Sequence, residues 1–298
     1  MLKFLRAGAI AGLAIAAAVV PVAGATAATP SAGTKVVAAG QSTAQVDSYW
    51  TPERIASAKP YVAPEAQVNA RTSTQRAQGE PVRIPGTRPG SGQAGVQASV
   101  WGTIGRLYFS IGNGNYICSA NVVASDNGDT IATARHCGFN DGGQNYSFAP
   151  GYDRGNAPHG WWSWRLAVVV LGDGDTAFVV LNTQNGRHVQ NVVGSSGVAF
   201  NHNPTSDYTY LLGLPGDKDY AVWCHGWPTT RDNGRTVALR DCNGMSGGAS
   251  GGPFAYGYNS GTGDVYQNGT YLGNCGGEAC GPWFANTELE AWQGAKGA

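Results

Sequence analysis

The chain has 298 residues, 13% of them charged, and its 19 Lys plus Arg balance its 19 Asp plus Glu. Such a neutral, sparsely charged composition excludes the basic footprint that nucleic acid or an anionic membrane surface requires. With 45 glycines and many short apolar runs between them, strands and turns are favoured over helices.

In chain order, Lys3 and Arg6 precede an apolar run from Ala7 to Val20, and small residues end in Ala25-Thr26-Ala27. This pattern predicts a secretory signal peptide over residues 1–27, cleaved after Ala27 or Ala28. The run is short for a bilayer span, and no later segment approaches the roughly 18 apolar residues a span needs. Export places the six cysteines in an oxidising compartment, where an even count reads as three disulfides. Nearest-neighbour pairing is the expected set: Cys118 with Cys137, Cys224 with Cys242, and Cys275 with Cys280. The sequence alone leaves other connectivities open. No C-x-x-C or clustered His/Cys spacing suggests a metal, and no cofactor is expected.

Residues 28–95 are rich in Ala, Thr, Ser, Pro and Gln, with too little apolar material for a core of their own. Pro81–Gly95 reads as a linker and the whole stretch as a propeptide, with a disordered surface tether as the alternative. From about Val96 the texture changes to short apolar runs between turns. Strands are expected at Leu107–Ile111, Thr130–Ala134, Leu166–Leu171, Ala177–Leu181, Tyr208–Leu212, Tyr220–Trp223, Val237–Leu239, Asp264–Tyr266 and Thr270–Leu272. Thr287 and Glu290 stand at capping-box spacing and predict a short C-terminal helix.

Five histidines occur, at 136, 159, 188, 202 and 225. Four sit in polar, loop-like contexts. His136 closes the apolar strand "TIATARHC" and is followed at once by Cys137, so a disulfide beside the ring would fix it as a general base must be fixed. In "GDGDTAFVVL", Asp175 abuts an apolar strand, whereas Asp173 lies between glycines as turn aspartates do; Asp175 is the favoured orienting carboxylate. "DCNGMSGGASGGPF" offers two serines. Ser250 is preferred to Ser246 because its glycine turn leads directly into an apolar strand, and Gly248 places an N–H beside that of Ser250 to bind an oxyanion.

With "TARHC", "DTA" and "GASGGP" in that order, the chain resembles the chymotrypsin-like (trypsin-like) serine endopeptidases, in their small secreted bacterial branch. The resemblance runs from about Val96 to Ala298. It implies an all-β fold of two Greek-key barrels, about 96–185 and 190–285, with the active site in the cleft between them and a helix at about 287–296. It further implies Ser250 as nucleophile, His136 as general base and acid, Asp175 as orienting group, and the N–H groups of Gly248 and Ser250 as oxyanion hole. Polypeptides are the implied substrates, and a monomer without nucleic-acid or membrane partners is expected. Ala249 departs from the digestive branch, where an aspartate before the serine pairs with a new N-terminus.

Three alternatives stand beside this reading: an inactive protease-fold binding protein, an esterase using the same triad, and a sugar-binding β-protein suggested by the tryptophans of "GWWSWR". For specificity, no histidine follows Ser250, and neither Lys nor Arg occurs between Ser250 and Lys296. Tyr266, Thr270, Tyr271 and Leu272 are expected to wall a pocket for uncharged side chains, with Asp264 leaving a basic one open.

Overall fold

A computed structural model describes residues 33–62, 79–90, 99–172 and 174–298. The expected signal peptide and Asp173 lie outside these residues. Six antiparallel strands, Ile104–Ile111, Gly114–Val122, Thr130–Thr133, Gln144–Pro150, Trp162–Val170 and Ala177–Leu181, close into a barrel. Closure is made by Trp162–Val170, which pairs with Gln144–Pro150 along its first residues and with Ala177–Leu181 along the rest. Leu107, Phe109, Ile131, Val179 and Leu181 fill the interior, each contributing about 1.5–3 kcal/mol by leaving water.

The tryptophans of "GWWSWR" serve this packing. Trp162 and Trp164 are buried in the barrel core, and Trp161 packs edge-on against Tyr108 with ring centroids 5.1 Å apart. Trp162 and Trp164 therefore present no exposed stacking face for a sugar.

The second lobe is built from two sheets. Gly197–Phe200, Thr209–Gly213, Val222–Gly226, Pro253–Tyr256 and Tyr266–Thr270 form one; Thr229–Arg231, Thr236–Leu239, Gly273–Asn274 and Ala279–Pro282 form the other. A bridge between Gly269 and Trp283 and the disulfide Cys224–Cys242 tie them together over a core of Leu211, Val237, Leu239, Phe254 and Trp283. In place of the two strands expected at Asp264–Tyr266 and Thr270–Leu272, a single strand runs between them, Tyr266–Thr270. Its Gln267 and Asn268 look like turn residues in sequence. Both are buried, and Gln267 is satisfied there: its Oε1 accepts a 2.8 Å hydrogen bond from Asn121 of the first barrel and its Nε2 donates to Gly269 O at 3.0 Å.

The C-terminal helix spans Asn286–Ala295 and packs Ala291 and Trp292 against Phe200 and Phe284. Its start corrects the Thr287/Glu290 capping box. Ala285 is the N-cap, and its N–H donates to Glu288 Oε2 at 2.9 Å. An alanine has no side-chain oxygen, so only this return half of a capping box exists.

The segment before the first barrel also differs from expectation. Thr34–Ala38 adds antiparallel to Leu166–Val170, Lys59–Pro60 runs parallel to Tyr116 and Ile117, and Val82–Ile84, inside the expected linker, pairs with Val198–Phe200. Helices Thr43–Tyr49 and Pro52–Ser57 connect the first two of these strands. Val46 and Trp50 bury against Tyr108 and Ile117, and Trp50 Nε1–H donates to Asn145 O at 2.6 Å. A handful of apolar residues suffices because the barrel supplies the other half of each contact and its edge strands supply hydrogen-bond partners.

Candidate active site

Strands Thr130–Thr133 and Ala177–Leu181 are antiparallel neighbours with Thr133 opposite Ala177. The residues just after the first and just before the second therefore emerge at the same end of the ladder. These are His136 and Asp175. His136 Nδ1 lies 2.6 Å from Asp175 Oδ2, and the His136 backbone N–H donates to Asp175 Oδ1 at 2.8 Å. Both carboxylate oxygens are thus committed to one residue, which fixes ring and backbone together and turns Nε2 away from the carboxylate. The disulfide Cys118–Cys137 anchors the next residue. The other two bridges are Cys224–Cys242 and Cys275–Cys280.

Burial works to raise the Asp175 pKa, but the charge and hydrogen bond of His136, with a smaller contribution from Arg135, outweigh it and hold the carboxyl below its ordinary range. Arg135 is itself held in place by the carbonyls of Val170, at 2.6 Å, and Gly172, at 3.1 Å. Asp175 is therefore kept as the carboxylate that the ring needs as its partner.

Ser250 is buried in a glycine turn that leads into strand Pro253–Tyr256. Its carbonyl accepts from Ser119 N at 2.7 Å, while Ser119 Oγ–H donates to Gly248 O at 2.9 Å. Gly251 has φ +84°, and a Cβ there would lie 2.3 Å from Ser119 O and 2.8 Å from Ala134 N. Only glycine lets the turn approach the strand end that carries His136. Gly248, with φ +96°, lies equally close to Gly216, where a Cβ would stand 2.8 Å from the amide nitrogen. Among the described residues, neither the Gly248 nor the Ser250 N–H has a backbone partner.

His136 and Ser250 line one cavity of about 310 Å³, together with Met245, Gly247, Tyr271 and Leu272. No hydrogen bond joins the Ser250 hydroxyl to the ring among the described contacts; such bonds are often long until substrate tightens them. Ser246 is also at this cavity, but it is exposed and its Oγ–H donates to Asp217 Oδ1 at 2.6 Å. The pocket residues expected from sequence are divided: Tyr271 and Leu272 are at the cavity, whereas Thr270 turns inward to donate to Asp175 O at 3.3 Å. Tyr266 stacks on Tyr256 beneath Arg83.

Two other histidines meet carboxylates at 2.7 Å, His188 with Asp129 and His202 with Asp207. At His202 the nearby Ser206 hydroxyl approaches the same nitrogen, Nε2, at 3.1 Å. A relay needs the carboxylate on one ring nitrogen and the hydroxyl on the other, so this cluster is no second triad. The ligand atoms of Cys118, Cys137 and His136 lie within 4.8 Å of one another, yet the two sulfurs are bonded together and offer no thiolate to a metal.

No protein-family model matches the chain, and no curated protein does. Solved structures do. Protease Anisep from Arthrobacter nicotinovorans is 30% identical with a TM-score of 0.58, the match covering 73% of this chain and 100% of Anisep. A thermostable serine protease, AL20, from an extremophilic microorganism is 34% identical with a TM-score of 0.56, over 65% of this chain and 97% of its own. The chain belongs to the chymotrypsin-like serine proteases. It is accordingly a serine endopeptidase, a hydrolase acting on polypeptides.

In this protease, sequence reasoning missed the residues that brace the site. Ser119 links the serine turn to the first barrel across 129 positions, and Thr270 reaches Asp175 across 95. A lone Ser or Thr inside a strand carries no local signal for such a distant partner. Arg135 did carry one, as a cation beside the candidate base.

Proposed function

We propose that this protease is secreted, made as a proprotein, and cleaves peptide bonds through His136, Asp175 and Ser250. The signal peptide would be residues 1–27, the propeptide 28–95 and the protease domain 96–298. Ser250 Oγ attacks the scissile carbonyl as His136 Nε2 takes its proton. The carbonyl oxygen, now negative, is met by the N–H groups of Gly248 and Ser250, and His136 returns the proton to the leaving amine. Water repeats the sequence on the acyl-enzyme, and Asp175 holds the imidazolium at each stage without itself taking the proton.

The observation that carries the reading is the 2.6 Å contact of His136 Nδ1 with Asp175 on the wall of the cavity that Ser250 shares. It engages the ring nitrogen that a base must not use, and so supports His136 as the base. Three disulfides suit an oxidising compartment, and no described helix is long and apolar enough to cross a membrane. The domain acts as a monomer in this proposal, its two lobes supplying every group named.

The cavity wall of Met245, Gly247, Tyr271 and Leu272 favours an uncharged side chain before the cleaved bond. An ionised glutamate would lose its hydration without a cation among the lining residues. Ala249 is fully buried and offers no carboxylate to an incoming N-terminal ammonium, so a mature form with a few extra N-terminal residues remains active. The test is Ser250→Ala, which abolishes peptide hydrolysis while leaving circular dichroism unchanged; turnover surviving in that variant refutes the assignment.

A further inference from the structure

Before the first barrel, the chain runs into the same cavity as His136 and Ser250. Pro60 packs against the serine loop, where a Cβ added to Gly247 would stand 3.0 Å from Pro60 Cβ. The Tyr61 N–H donates to Ile117 O at 3.4 Å, and Tyr61 and Val62 line the cavity. The Tyr61 ring is held edge-on between Phe109 and Tyr116, with centroids at 5.6 and 5.1 Å, and its hydroxyl donates to Asp141 Oδ2 at 2.6 Å. A ring clasped by two aromatics and a carboxylate at its tip occupies a shaped subsite.

The side of the scissile bond that this subsite serves follows from the chemistry. His136 returns its proton to the leaving amine, so the leaving half of a substrate lies toward the histidine's wall of the cavity. Phe109 and Tyr116 belong to the first barrel, and Asp141 to the turn that follows His136. Met245, Tyr271 and Leu272, which line the same cavity, belong to the second lobe.

We propose that Phe109, Tyr116 and Asp141 form a subsite selecting a tyrosine in the first residues after the cleaved bond, and that Tyr61 occupies it in the uncleaved chain. Asp141 is the specificity residue, because only a phenol brings a hydroxyl to its carboxylate. Burial and the neighbouring carboxylate both raise the Tyr61 pKa, so the phenol remains a donor at neutral pH. A charge-assisted hydrogen bond of this kind sets a preference of about tenfold for Tyr over Phe. The amino-terminal segment then blocks the site by filling this subsite. The inference rests on the serine-protease mechanism above.

The test uses the full chain and its variants Tyr61→Ala, Tyr61→Phe, and Tyr61→Ala with Asp141→Asn. Quenched peptides carry Tyr, Phe or Ala in the two positions after the cleaved bond, and a fluorophosphonate reports the reactive serine. Tyr61→Ala is expected to raise kcat/KM on the tyrosine peptide about tenfold over the unaltered chain, with Tyr61→Phe between them. Tyr61→Ala should prefer Tyr to Phe about tenfold, and adding Asp141→Asn, which keeps an acceptor oxygen but removes the charge, should weaken the preference. Labelled, active Tyr61→Ala that cleaves Tyr and Phe peptides equally, or a preference that Asp141→Asn leaves undiminished, overturns the subsite and leaves the protease mechanism standing. Equal rates for the intact unaltered chain and Tyr61→Ala overturn the occupancy. Absence of both labelling and turnover in every form overturns the mechanism and the subsite together.

Discussion

His136 and Asp175 are joined twice, ring nitrogen to one carboxylate oxygen at 2.6 Å and backbone N–H to the other at 2.8 Å. The pair is set by a strand ladder, since Thr133 and Ala177 face each other one turn of chain away. Replacing Asp175 by Asn should keep the shape and offer Nδ1 the wrong partner. Peptide hydrolysis is expected to fall by about 10⁴ in kcat, with little change in KM. A loss below tenfold would remove Asp175 from the mechanism.

The same pair gives a pH dependence of stability. Burial raises the Asp175 pKa, but the charge and hydrogen bonds of His136, together with the charge of Arg135, hold the folded-state value below the unfolded one. Its contribution is therefore complete above the unfolded carboxylate pKa of about 3.9 and is lost as pH falls through the folded value. Urea unfolding of the Ser250→Ala chain with and without Asp175→Asn should show a gap at neutral pH that closes in acid. A gap that widens as pH falls would contradict the sign.

How much of this was legible in the sequence varies with the range of the contact. His136, Asp175 and Ser250 each stand in a short motif beside an apolar strand, so local reading finds them. The strand Tyr266–Thr270 was misplaced because Gln267 and Asn268 are polar, and the partner that buries Gln267, Asn121, lies 146 positions away. The helix start was misread for a related reason. Thr287 has the chemistry of a cap, but packing of Ala291 and Trp292 against Phe200 and Phe284 sets where the helix begins. The amino-terminal segment looked unable to fold because its apolar residues are few, and sequence gives no sign that the barrel completes their burial.

Gly251 offers a sharp test of packing. A methyl group there would enter the space of Ser119 O and Thr133 Oγ1, and the backbone is left-handed with φ +84°. Gly251→Ala should destabilise the fold by roughly 2–5 kcal/mol, read from urea midpoints. Stability within about 0.5 kcal/mol of the unaltered chain would show that the serine turn is looser than described.

The disulfide Cys118–Cys137 holds the chain immediately after His136. Replacing both cysteines by serine should cost about 2–5 kcal/mol of stability and lower kcat beyond what the loss of folded protein explains. Peptide mapping of the unreduced protein should recover Cys118 bonded to Cys137. Recovery of Cys118 with any other cysteine would remove this anchor.

Cleavage after glutamate is expected to be rare, since the lining residues Met245, Gly247, Tyr271 and Leu272 carry no charge. A random peptide library should return apolar or small uncharged residues before the cut. A profile dominated by glutamate would mean that a cation reaches the cavity from elsewhere in the chain.

Covalent labelling tests the triad most directly. A fluorophosphonate applied to the full chain with the subsite opened by Tyr61→Ala should attach to one serine, mapped by mass spectrometry to Ser250, and His136→Ala should abolish the reaction while Ser246→Ala leaves it intact. Label found on Ser246, or label on Ser250 that is indifferent to His136→Ala, would contradict the account.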